Sequence, residues 1–118
     1  PRGLHAATFV PPNRVVIFGG AAQTGEMSNE VFILDTQTWQ WSQLPIPVNG
    51  PYPSPRASPC FCTLDTSTSP SPSTCLLLYG GADRSMADQG IPLHGCDDLW
   101  ILHLDPPRWE KLEPSTNV

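Results

Sequence analysis

The chain has 118 residues and a formal charge of −5, and its six lysines and arginines form no cluster, which argues against nucleic acid or an acidic membrane as the main partner. Fifteen prolines and a charged fraction of only 14% favour short strands joined by turns and disfavour helices. No apolar run reaches the length of a membrane span, and no signal-peptide pattern stands at the start. Cys60, Cys62, Cys75 and Cys96 form no CxxC pair, and no Asn-x-Ser/Thr sequon occurs, so we expect a reducing, cytoplasmic setting.

In chain order, strands are predicted at about 5–10, 14–19, 30–35 and 39–44, then at about 58–64, 74–80, 98–104 and 108–113. Asn13, the run Asp35-Thr36-Gln37-Thr38 and the run Asp105-Pro106-Pro107-Arg108 supply turn residues between them. Connections this short force successive strands to pair antiparallel, which gives two four-stranded meanders.

The two groups are copies of one pattern. Pro1-Arg2, Val15-Val16-Ile17-Phe18-Gly19-Gly20, Asn29-Glu30-Val31-Phe32-Ile33-Leu34 and Trp41 recur as Pro55-Arg56, Leu76-Leu77-Leu78-Tyr79-Gly80-Gly81, Asp97-Asp98-Leu99-Trp100-Ile101-Leu102 and Trp109. The offset is 56 − 2 = 54 at the arginine, 80 − 19 = 61 at the glycine and 109 − 41 = 68 at the tryptophan. Two seven-residue insertions therefore separate the copies, one between Arg56 and Gly80 and one between Gly81 and Asp97. We divide the chain into repeat one, 1–50, and repeat two, 51–118, with the insertions at about 65–74 and 82–96.

The second and third strands of each copy are apolar on both faces, so each sheet needs cover from two sides. A radial stack of blades meets that need, whereas a two-sheet sandwich leaves one face of each sheet wet. At this point the residues resemble a known family. Arg2, His5, Phe18-Gly19-Gly20, Asn29-Glu30-Val31-Phe32 and Trp41 look like a kelch repeat, and Arg56, Tyr79-Gly80-Gly81, Asp98-Leu99-Trp100 and Trp109 like a second. Copy two departs from the pattern at Pro59, which stands where His5 stands, and at His103, which aligns with Asp35.

The resemblance implies an all-β fold of kelch-type β-propeller blades. Closed propellers use about four to eight blades. Two blades do not close a ring, and the chain opens on Pro1 directly at the motif, so we expect a piece of a longer propeller. If the two blades were the whole protein, their uncovered faces would drive self-association.

Candidate chemistry is sparse. The glycine pairs match no phosphate-binding spacing and read as positive-φ exits from the second strand. Trp41 and Trp109 read as packing residues and Trp39 as exposed. Cys60, Cys62, Cys75, His94 and Cys96 can be drawn as a zinc set, but the first three are strand residues that read more simply as small buried hydrophobes. A Cys62–Cys75 disulfide across the hairpin is the other pairing weighed. Asp97-Asp98 aligns with Asn29-Glu30, so it belongs to the repeat and not to an acid–base pair. We assemble no Ser-His-Asp or Cys-His set, and neither the Tyr/His set of the kelch-like copper oxidases nor the E-x-x-x-D-x-x-x-C run of the iron-dependent specifier proteins occurs. The expectation is therefore no catalytic residue, no cofactor and no metal.

The Ser/Thr/Pro tract 65–74 reads as a tolerated insertion, with phosphorylation of Ser69 or Ser71 as the alternative. Function is expected on the opposite face, on loop 82–96 together with Gln23, Glu26, Met27 and the link from Asn49 to Ser54. Kelch-like propellers often pair an arginine there with acidic residues of a partner. Arg84 is the cation of these loops, with Asp83, Met86 and His94 as companions. The favoured reading is a non-enzymatic scaffold that presents loops to a protein. The alternative is a framework piece of an enzyme whose catalytic residues lie outside these residues.

Overall fold

The computed structural model describes residues 2–46, 50–64, 74–104 and 107–113. Repeat one contains β1 (Arg2–Gly3), β2 (Ala6–Val10), β3 (Arg14–Phe18), β4 (Ala21–Ala22), β5 (Val31–Asp35) and β6 (Gln40–Leu44). Repeat two contains β7 (Cys60–Leu64), β8 (Cys75–Tyr79), β9 (Ala82–Asp83), a 3-10 turn (Ala87–Gln89), β10 (His94–Gly95), β11 (Leu99–Leu104) and β12 (Pro107–Leu112). Two antiparallel four-stranded meanders result, in the orders β2-β3-β5-β6 and β7-β8-β11-β12. All eight expected strands are present. The four two-residue strands and the 3-10 turn are additions, too short to leave a periodic signal. The tract with Ser69 and Ser71, the Asp105-Pro106 turn and Asn49 lie outside the described residues.

Alternation along the strands decides which face is buried. In the first sheet Val16 and Phe18 on β3 stand opposite Ile33 and Val31 on β5, and all four are buried. In the second, Phe61, Leu76, Leu78, Trp100, Leu102 and Trp109 share one face and are buried as well. These two faces meet and form a single core. Phe18 reaches across to Phe61 and Trp109, with ring centroids 6.1 and 5.5 Å apart. The first strands of the two sheets also touch, through Thr63 Oγ1 donating to Phe9 O at 3.0 Å. The sheets thus stack face to face, as adjacent propeller blades do.

The two repeat tryptophans differ in burial. Trp41 is 58% exposed, whereas its counterpart Trp109 is 7% exposed. Both occupy the same face of their own sheet, the one that also carries Phe32 in repeat one and Trp100 in repeat two. In the second sheet that face lies on the first sheet. In the first sheet nothing among the described residues covers it, so Trp41 lines an open depression with Arg2, His5, Ile17 and Phe32. The sequence motif is the same and the neighbour differs. Trp39, 71% exposed with φ of 60°, behaves as expected.

Candidate functional site

Each glycine pair ends the second strand of its sheet and turns the chain into the loop face. Gly19 and Gly20 have φ of 77° and 102°, and Gly80 and Gly81 have 78° and 92°, which L side chains rarely adopt. Space adds a second reason. A Cβ on Gly19 would stand 2.8 Å from Arg56 O, and one on Gly81 would stand 2.8 Å from Ala57 O.

The repeat arginine clamps this turn to the acidic residue that opens the third long strand. Arg2 donates from Nη1 to Gly19 O at 3.2 Å and from Nη2 to Glu30 Oε2 at 3.1 Å. Arg56 donates from Nη1 to Gly80 O at 3.3 Å and holds both oxygens of Asp98, at 2.7 and 2.9 Å. The copies differ in depth, because the Arg2 side chain is 29% exposed and that of Arg56 only 1%. Arg56 also donates to Ser54, and Trp100 Nε1 donates to Asp98 Oδ2 at 2.8 Å. The acidic pair at 97–98 is therefore divided, with Asp98 inside this network and Asp97 exposed.

The hydrogen bonds from Arg56, against the opposing push of burial and with help from Trp100, hold the Asp98 carboxyl down at about 2 from an ordinary 3.8. A carboxyl whose folded value is depressed stabilises the fold above its ordinary value and loses that contribution as the pH falls through the folded one. On this basis Asp98 contributes about 2 kcal/mol at neutral pH. Urea midpoints measured from about pH 5 down to about pH 2 should fall more steeply in the native chain than in Asp98→Asn. Parallel curves would contradict this assignment.

Loop 82–96 rises from the short ladder of β9 and β10, where Asp83 stands opposite His94 and Ala82 opposite Gly95. The four residues named from the sequence separate by depth. Arg84 is exposed, and it lies across the equivalent turn of repeat one, where a Cβ on Gly25 would stand 2.9 Å from Arg84 Nη2. Met86 is half-buried at the start of the 3-10 turn. Asp83 is buried and engaged, with Oδ2 accepting from Ser54 Oγ at 2.6 Å and Oδ1 from Ser85 Oγ at 2.8 Å and Ser85 N at 3.2 Å. Burial would raise its carboxyl, but these bonds outweigh burial and lower it to about 2. His94 is half-buried beside it, with Nδ1 3.5 Å from Asp83 Oδ1. Cys96 lies in the same group, and burial pushes its thiol up to about 11. Ile91 and Leu93, which the sequence did not single out, stand exposed on this loop.

The set of five drawn for zinc does not assemble. His94 and Cys96 meet Asp83 at the root of the loop. Cys60, Cys62 and Cys75 lie on β7 and β8, on the sheet face turned away from the first sheet. Cys75 is not a mate for Cys62 either: Cys75 pairs with Leu64 and Cys62 with Leu77, and none of the four cysteines is in a disulfide.

A thiol–imidazole contact that the sequence did not yield is present. Cys75 Sγ lies 3.4 Å from His103 Nδ1, and His103 Nε2 lies 3.0 Å from Glu110 Oε1. The cross-strand register places Cys75 opposite His103, and register across a long insertion cannot be read from residue types. The thiol is 6% exposed, which withholds it from a substrate and makes the array a tie across three strands.

Stacked meanders joined by glycine-pair turns and arginine clamps define kelch-type propeller blades. The KLHDC2/KLHL20/DRC7 Kelch-repeats domain family matches residues 1–118, and the chain belongs to that family. Kelch-repeat domains are generally protein-interaction modules built on a β-propeller. Among the described residues no helix is long and apolar enough to cross a membrane.

Proposed function

We propose that these blades form part of a kelch-type propeller that presents loop 82–96 to a protein partner and performs no chemistry of its own. The supporting observation is that the loops of both repeats converge on one face, where the exposed Arg84 bridges onto the Gly25 turn. Exposed Ile91 and Leu93 on the same loop add apolar contact area. The partner segment that suits this surface combines a carboxylate for Arg84 with apolar side chains. A central arginine flanked by apolar contacts is a common form of interface anchor. Four cysteines outside any disulfide suit a reducing compartment, and the cytoplasm is the setting we propose.

The test is site-specific photocrosslinking in cells. A photoreactive residue at Gln89, exposed on the loop, should capture a partner that Arg84→Glu abolishes. The same residue at Gln37, exposed at the opposite end of the sheets, should not capture it. Equal capture at both positions, or indifference to Arg84→Glu, would overturn the reading.

A further inference from the structure

We propose that Asp83, His94 and Cys96 bind a divalent cation of the zinc class at the root of loop 82–96. The site is independent of the partner reading and stands even if Arg84 contacts nothing. Its geometry follows from the β9–β10 ladder. Asp83 and His94 are cross-strand partners, and Cys96 follows His94 by two residues, with its N–H fixed on Gly81 O at 2.8 Å. One ligand atom from each side chain lies within 4.8 Å of the others. Around a tetrahedral zinc the ligands stand roughly 3.3–3.8 Å apart, so small side-chain rotations close the site.

The strongest sign is His94 Nδ1. This atom is buried and makes no hydrogen bond, although it faces an ionised carboxylate at 3.5 Å. If Nδ1 is unprotonated, its lone pair points at the carboxylate of Asp83 and the two repel. If it carries the proton, the contact is longer than a good hydrogen bond. A cation between them satisfies both groups in the neutral imidazole form that metals take.

The surroundings fit a built site. Ser54 and Ser85 hold the Asp83 carboxylate from outside, as partners behind a metal ligand do. Imidazole, thiolate and carboxylate together suit zinc better than magnesium or calcium, which prefer all-oxygen sets. Charge also balances. The cation is neutralised by the Asp83 carboxylate and by the Cys96 thiolate, whose proton leaves to solvent. The neighbouring Arg56 is already paired with Asp98. Three protein ligands leave a fourth position for water or for a side chain of another molecule.

Cobalt(II) is the probe, in the whole chain carrying Cys60→Ser and Cys62→Ser to remove the exposed thiols. One equivalent should produce a thiolate-to-cobalt charge-transfer band and tetrahedral d–d absorption, both displaced by zinc. Cys96→Ser should abolish the charge-transfer band, and His94→Gln should weaken binding at least about tenfold. Should Cys96→Ser fail to fold, X-ray absorption of the zinc-loaded parent chain decides instead, with one sulfur and otherwise nitrogen and oxygen expected. No charge-transfer band, a band that survives in a folded Cys96→Ser, or a first shell with no sulfur or several would overturn the site.

Discussion

Arg56→Met should destabilise the chain by about 3 kcal/mol or more, whereas the matching change in repeat one, Arg2→Met, should cost at most about 1 kcal/mol. The motif is the same, and burial sets the difference. Removing the Arg56 guanidinium strands the Asp98 carboxylate, Gly80 O and Ser54 O in a region where the arginine side chain is 1% exposed. The Arg2–Glu30 pair is 29% and 40% exposed, so water replaces what the substitution removes. Against a total stability of about 5–15 kcal/mol, the first loss takes a large share. Urea unfolding of both variants is the measurement. Adding Asp98→Leu to Arg56→Met should recover part of the loss, because the stranded charge goes with it. Equal costs at Arg2 and Arg56 would mean that burial of the clamp is not what stabilises it.

Trp109→Ala should cost about 3–5 kcal/mol, and Trp41→Ala no more than about 0.5 kcal/mol. Trp109 is the meeting point of the aromatic core, edge-on to Phe18 at 5.5 Å, to Tyr52 at 5.9 Å and to Trp100 at 6.1 Å. Such pairs contribute about 0.5–1.5 kcal/mol beyond the area they bury. Trp41 faces an open depression, and its truncation leaves no cavity. Thermal and urea unfolding of the two variants at several protein concentrations decide the matter. A large cost at Trp41 that grows with concentration would show that another copy covers that sheet in solution.

The strands were legible because their signal is local. Runs such as Leu76-Leu77-Leu78-Tyr79 closed by a glycine pair need no knowledge of what lies beyond, and the repeat confirms each strand by its copy. The arginine clamp was legible as a motif, but its depth was not. Arg2 and Arg56 read alike, and only the stacking of the second sheet on the first buries one of them. The same limit explains Trp41, whose burial depends on a neighbouring sheet and not on its own strand. The side-chain clusters were hidden for a different reason. Asp83 meets His94 through a ladder of two residues per strand, below the reach of any periodic pattern. Cys75 meets His103 through a register that the intervening insertions leave undetermined in sequence.

Arg56 belongs to both repeats at once. Its carbonyl accepts from Gly20 N at 2.9 Å while its side chain holds Gly80 O and Asp98. In a linear array of modules, folding is governed by the ratio of the coupling between neighbours to the stability of each module alone. A residue shared in this way enters the coupling, and so does a core with aromatic contacts between the sheets. Strong coupling over weak modules makes partly folded arrays scarce, since a lone blade keeps its entropy cost and forfeits the contacts that repay it. The blades then melt as one transition, and a lesion in either glycine turn is felt in both.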